Sequence, residues 1–126
     1  WGGVLEHPEA SHAWAAHNLI KPPKRGGWID AGDFVGLTCC VEQGHYGHRA
    51  RKATWLYAAH ILDLPELQWG PSIATIKMDD GYHSAEERKR AVKTGACQRM
   101  SKKERLATPI PFRDLLLLLA RSARPI

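Results

Sequence analysis

The sequence predicts one mixed α/β unit in three layers, a sheet with helices packed against it. Two apolar, β-branched runs, Phe34 to Val41 and Thr54 to Ala59, have strand composition, and a third short run ends at Val4-Leu5. Helical spacing recurs over Ser11 to Leu19, over the residues after Ser84, and over Phe112 to Ala123. At 126 residues and 44% hydrophobic, the chain can bury one modest core but not two.

Val4 and Leu5 read as the end of a strand, Glu6-His7-Pro8 as a turn, and Ser11 as the cap of the first helix. Proline lacks a backbone donor and restricts the residue before it, so Lys21-Pro22-Pro23-Lys24-Arg25-Gly26-Gly27 is a basic loop that continues through Trp28 to Asp33. After Leu64-Pro65 the chain is turn-rich through Gly70-Pro71 and Asp79-Asp80-Gly81. Ser84 with Glu87 is a capping box opening a basic helix that ends near Thr94-Gly95. Pro109 and Pro111 introduce the last helix, whose leucine run predicts that it is largely buried.

The net charge is +5, and it is unevenly placed. Residues 82 to 106 carry eight Lys or Arg against three Glu. Such a segment attracts a polyanion, most commonly nucleic acid, although a solvated helix face has the same composition. The three cysteines, Cys39 and Cys40 adjacent among them, do not form a secretory framework, which predicts a reducing, cytoplasmic setting. No apolar run approaches the length of a membrane span, and no signal-peptide pattern is present. Trp1-Gly2-Gly3-Val4-Leu5 enters a strand without an N-terminal approach, which predicts a fragment or processed product of a longer chain.

The segment Gln43-Gly44-His45-Tyr46-Gly47-His48-Arg49-Ala50-Arg51-Lys52-Ala53-Thr54 sets two histidines, three cations and a threonine between two strands. Its glycines allow close backbone approach, and Arg49, Arg51 and Lys52 have the chemistry for phosphate. An ordinary cationic hairpin loop fits the same pattern.

Tyr46-Gly47-His48-Arg49-Ala50-Arg51-Lys52-Ala53-Thr54-Trp55-Leu56, followed by Leu64-Pro65-Glu66-Leu67, resembles a stretch of phage- and prophage-type DNA (cytosine-5) methyltransferase-like proteins. Val4-Leu5-Glu6-His7-Pro8-Glu9-Ala10-Ser11 resembles the strand-ending Glu-Asn-Val/Pro motif of that family, with His7 in place of Asn. Arg105 to Pro111 and the leucine helix resemble, more weakly, its C-terminal segment.

The resemblance implies a partial Rossmann-like methyltransferase sheet with flanking helices and a basic insertion over 82 to 106. Residues 1 to 126 would be a single domain or the C-terminal fragment of a larger domain. It makes Glu6 the catalytic carboxylate that meets the ring of a flipped cytosine. Arg49, Arg51, Lys52, Thr54, Arg88, Lys89, Arg90, Lys93, Lys102 and Lys103 become the nucleic-acid-binding set. S-adenosylmethionine would serve the complete protein, with no cofactor expected on this chain alone, because the glycine-rich cofactor loop and the Pro-Cys nucleophile of the family belong upstream of Glu6. The expected partners are DNA and the missing N-terminal half, in a bacterial or phage-infected cell. An open sheet edge would also permit a homo-oligomer.

Cys39 and Cys40 sit in an apolar strand, where burial raises thiol pKa, and they are not assigned the nucleophile's role. Cys39, Cys40, His45 and His48 have zinc-like spacing, yet adjacent strand residues point to opposite faces, so no metal site is expected. His7, His12 and His17 are expected at the surface. Of five tryptophans, Trp14 and Trp55 are expected in the core, whereas Trp28 and Trp69 are candidates for exposed stacking. Two functions therefore compete: the base-recognition half of a methyltransferase-like protein, incomplete as an enzyme, and a non-catalytic nucleic-acid-binding or protein-interaction module.

Overall fold

A computed structural model describes residues 2–74, 76–77, 84–95 and 101–124. Trp1, the expected turn over Asp79-Asp80-Gly81, and positions 82–83 and 96–100 of the basic segment lie outside the described residues. The fold is mixed α/β, built on a four-stranded antiparallel sheet. Its strands are β1 (Gly3–Pro8), β2 (Ile29–Asp30), β3 (Gly36–Glu42) and β5 (Ala53–Ala59), in the order β1-β5-β3-β2. A separate parallel pair joins β4 (Ala50–Arg51) to β6 (Ile76–Lys77).

Helices cover both faces of the sheet, which explains why β3 and β5 are apolar at nearly every position and do not alternate. On one face Cys40, Trp55 and Tyr57 pack against Trp14 of α1 (His12–Ala16). On the other, Cys39, Val41 and Leu56 pack against Phe112 of α4 (Ile110–Arg121) and against Leu67. Trp14 is fixed further by its indole N–H, which donates to Thr38 Oγ1 at 3.1 Å, and Thr38 in turn donates to the Leu56 carbonyl at 2.7 Å. Burying Leu56, Phe112 and Leu119 contributes about 1.5–3 kcal/mol for each side chain.

Several expectations change. Glu6-His7-Pro8 is not a turn: these residues pair with Leu56, Trp55 and Thr54 of β5, and the chain turns only at Glu9-Ala10, where Ala10 has φ +64°. The turn-like dipeptide His7-Pro8 fits a strand because β1 has no second strand partner among the described residues, so proline's missing donor costs no ladder bond there. Phe34 and Val35 lie outside β3, in a loop tied by Asp33, whose Oδ1 accepts from Val35 N at 3.0 Å and Gly36 N at 2.9 Å. Ile29–Asp30, expected as loop, adds the short β2. Within α4 only Phe112 and Leu119 are buried, while Leu117 and Leu118 are 43% and 63% exposed, because the helix meets the sheet along one side.

Two helices carry the basic segment, α2 (Ala85–Thr94) and α3 (Lys102–Leu106). Ser84 Oγ accepts from Glu87 N at 3.1 Å and Gly95 closes α2 in the left-handed region, as the capping pattern predicts. Neither helix has a buried residue. Among the described residues no helix is long and apolar enough to cross a membrane.

Candidate functional site

Because β1 and β3 are both antiparallel to β5, they run parallel to each other, and their C-terminal ends meet the start of β5 at one end of the sheet. Glu6, Gln43 and Thr54 converge there. Glu6 lies opposite Leu56 on the α4 face. Thr54 is fully buried, and so is Gln43 at the head of the 3-10 turn Gln43–Tyr46.

The Gln43 backbone is held on both sides, its N–H donating to Lys52 O at 2.8 Å and its carbonyl accepting from His48 N at 3.2 Å. Its side-chain Nε2 donates to Thr54 Oγ1 at 2.9 Å and reaches Glu6 Oε1 at 3.5 Å. The carboxylate fixes the amide's orientation, since the reversed amide would set oxygen against oxygen. That orientation leaves Gln43 Oε1 buried without a hydrogen-bond partner among the described residues.

Lys52 is half-buried beside this junction, and its Nζ donates to the Ala107 carbonyl at 3.3 Å. Desolvation lowers its pKa from the ordinary lysine value, opposed by the charge of Glu6. Gly47 adopts φ +107°, a left-handed conformation that favours glycine, and it lets the chain leave the 3-10 turn toward β4. The preceding Tyr46 ring packs on Phe112 with centroids 5.4 Å apart, and its hydroxyl accepts from Gln68 N at 3.2 Å. His48 is buried, with Nδ1 3.1 Å from both Ala50 O and Ala50 N, and its Nε2 has no partner among the described residues.

The other expected site residues have different surroundings. Thr54, expected to bind nucleic acid, is buried, and its hydroxyl accepts from Gln43 Nε2 inside the core. Arg49 pairs with Glu104 at 2.5 Å, and Arg51 Nε donates to Ala74 O at 2.8 Å. Lys102 and Lys103 are exposed on α3. Lys89, Arg90 and Lys93 are exposed on α2 and Arg88 is partly covered.

Cys39 and Cys40 belong to opposite faces of the sheet and do not converge with His45 and His48. The His45 ring lies 2.9 Å from Gly70 O. Burial drives the Cys39 thiol far above its usual range; burial, reinforced by Glu9, pushes Cys40 up to about 11. Trp28 and Trp69 are not free stacking platforms. They pack edge to face with centroids 6.3 Å apart, and their indoles donate to Pro65 O and Glu66 Oε2. His7 packs against Trp14 at 5.7 Å and its Nδ1 lies 3.1 Å from Ser11 Oγ, so it is tied to the first helix.

Gln43 is the residue that sequence reasoning passed over. The available signal was a neutral polar side chain closing an apolar strand immediately before a glycine, a position where burial demands a specific partner.

No protein family matches this chain, and neither does any curated protein or solved structure.

Proposed function

We propose that the chain is the base-recognition part of a DNA cytosine methyltransferase-like protein, with Glu6 facing the target base. One observation carries this reading: Glu6 of the first resembling stretch and Thr54 of the second meet through Gln43, whose side chain bonds to both. The bridge orients the carboxylate at a sheet end, and an oriented carboxylate can accept from an exocyclic amino group and share a proton with a pyrimidine ring nitrogen. Lys52 adds a cation beside it.

The high thiol pKa values of Cys39 and Cys40 make both poor nucleophiles, so in this reading the attacking thiolate and the S-adenosylmethionine site come from outside these residues. The outer edge of β1, which has no strand partner among the described residues, is where the strands of a complete Rossmann-like sheet would continue. Exposed Leu117 and Leu118 favour a second reading, a non-catalytic protein-interaction module on the same scaffold.

The test is binding of oligonucleotides that present a mismatched, easily extruded cytosine, compared with the same strands carrying thymine. Preference for cytosine that disappears in Glu6→Gln supports base recognition. Equal binding of both strands, unchanged in Glu6→Gln, rejects it and leaves the module. Methylation of DNA by the 126-residue chain with S-adenosylmethionine alone would remove the statement that the reactive groups lie elsewhere.

A further inference from the structure

A cleft of about 980 Å³ wraps the same end of the sheet, reaching Cys40 and Ala53 on the α1 face. Six separate stretches of chain form its walls: the ends of β1 and β3, the Lys24-Arg25 loop, the β4–β5 connection, Gly70-Pro71 and α3. Six cations line it, Lys24, Arg25, Arg51, Lys52, Lys102 and Arg105. Two carboxylates, Glu9 and Glu42, stand among them, leaving a surplus of four positive charges.

Crowding cations from distant stretches into one concavity raises the energy of the unoccupied fold, which a polyanion relieves. The walls are also fixed in advance. Gly26, at φ +93°, packs so closely on Trp69 that an added Cβ would sit 2.7 Å from the ring, which pins the loop carrying Lys24 and Arg25. Lys24 is oriented by Glu9 at 3.5 Å, and Arg51 by its bond to Ala74 O. Glu42 accepts from Ser72 N and so anchors the stretch after Gly70-Pro71. Preorganised cations lose little freedom on binding.

We infer that this cleft seats the phosphodiester backbone of a nucleic-acid strand, with about four phosphates neutralised, and that the cleft, not α2, is the main electrostatic contact. The inference rests on the base-recognition reading in choosing nucleic acid over an acidic protein, because Lys52 borders both the cleft and the Glu6 junction. Four phosphates give a plot of log affinity against log salt with a slope of about −3 on a single strand.

The experiment measures fluorescence anisotropy of a mixed-sequence single strand across a salt series. It compares the native chain, Arg25→Glu/Lys102→Glu in the cleft, and Lys89→Glu/Arg90→Glu on α2. All four substituted residues are exposed, and circular dichroism confirms that each variant folds. The cleft variant is expected to bind about tenfold or more weakly and to lose roughly half the salt slope, with the smaller loss in the α2 variant. A larger loss from the α2 variant, absence of binding by the native chain at low salt, or equal affinity for polyglutamate overturns the cleft assignment. Cytosine preference that depends on Glu6 but not on the cleft overturns the cleft alone. Cleft-dependent binding indifferent to cytosine and to Glu6→Gln supports the cleft and rejects base recognition.

Discussion

The Glu6–Gln43–Thr54 junction and helix α2 are both polar, but they are held in different ways. At the junction, backbone bonds from Lys52 and His48 and the surrounding core fix one side chain, which then fixes two others. On α2, caps and the helix dipole stabilise the helix itself, yet no residue is buried and its cations are displayed to solvent. A buried polar group has a direction, whereas an exposed charge contributes mainly a field that salt screens. The difference separates a fixed side-chain geometry from a general electrostatic field.

The strongest way to break this contrast is Gln43→Glu, which sets a second carboxylate, itself fully buried, against half-buried Glu6. An uncompensated buried charge costs about 3–5 kcal/mol, so urea unfolding should show a large fall in midpoint or loss of the cooperative transition. A midpoint within experimental error of the native chain would show that the junction is open to water.

Tyr57→Phe probes the opposite end of the sheet, where the tyrosine hydroxyl donates to Asp33 Oδ2 at 2.5 Å. Losing a hydrogen bond to a charged group should cost about 1.5–3 kcal/mol at neutral pH. Burial alone would raise the Asp33 pKa, but bonds from Gly36, Tyr57 and Val35 hold it below 3.8. The unfolded chain therefore takes up that proton first, and this group's stabilisation, complete above about pH 4, is lost as pH falls through the depressed value. Burial, with Asp33, also raises Tyr57 to about 12 from 10.0, so native stability should decline from about pH 10 upward. In Tyr57→Phe the acid loss should shrink and Tyr57's contribution to the alkaline loss should vanish in the pH dependence of the unfolding midpoint. Unaltered limbs would show that the bond is absent in solution.

Least affected should be Lys89→Ala/Arg90→Ala on the exposed surface of α2, with stability within about 0.5 kcal/mol of native. A larger loss in thermal unfolding would mean that α2 is docked through contacts its exposure does not reveal.

Caps, punctuation and core aromatics were legible in the residues because their causes are local. Ser11, Ser84 and Gly95 bound their helices as their side chains or backbone freedom require. Trp14 and Trp55 lie in the core where their apolar neighbours suggested. The turn expected at Glu6-His7-Pro8 failed because proline's effect depends on whether its missing donor faces a partner strand. The leucines of α4 misled in a similar way: their composition gives apolarity, but which side of the helix meets the sheet is a matter of packing.

The sequence by itself determined the helix caps, the basic loop, the excess of positive charge and the apolar strands, all of which follow from the chemistry of neighbouring residues. Only the tertiary structure decided that β5 lies between β1 and β3, that Gln43 is the hinge of the polar junction, and that cations from three stretches share one cleft. Those facts depend on strand order and register, set by the summed packing of residues far apart in the chain, which no single segment encodes.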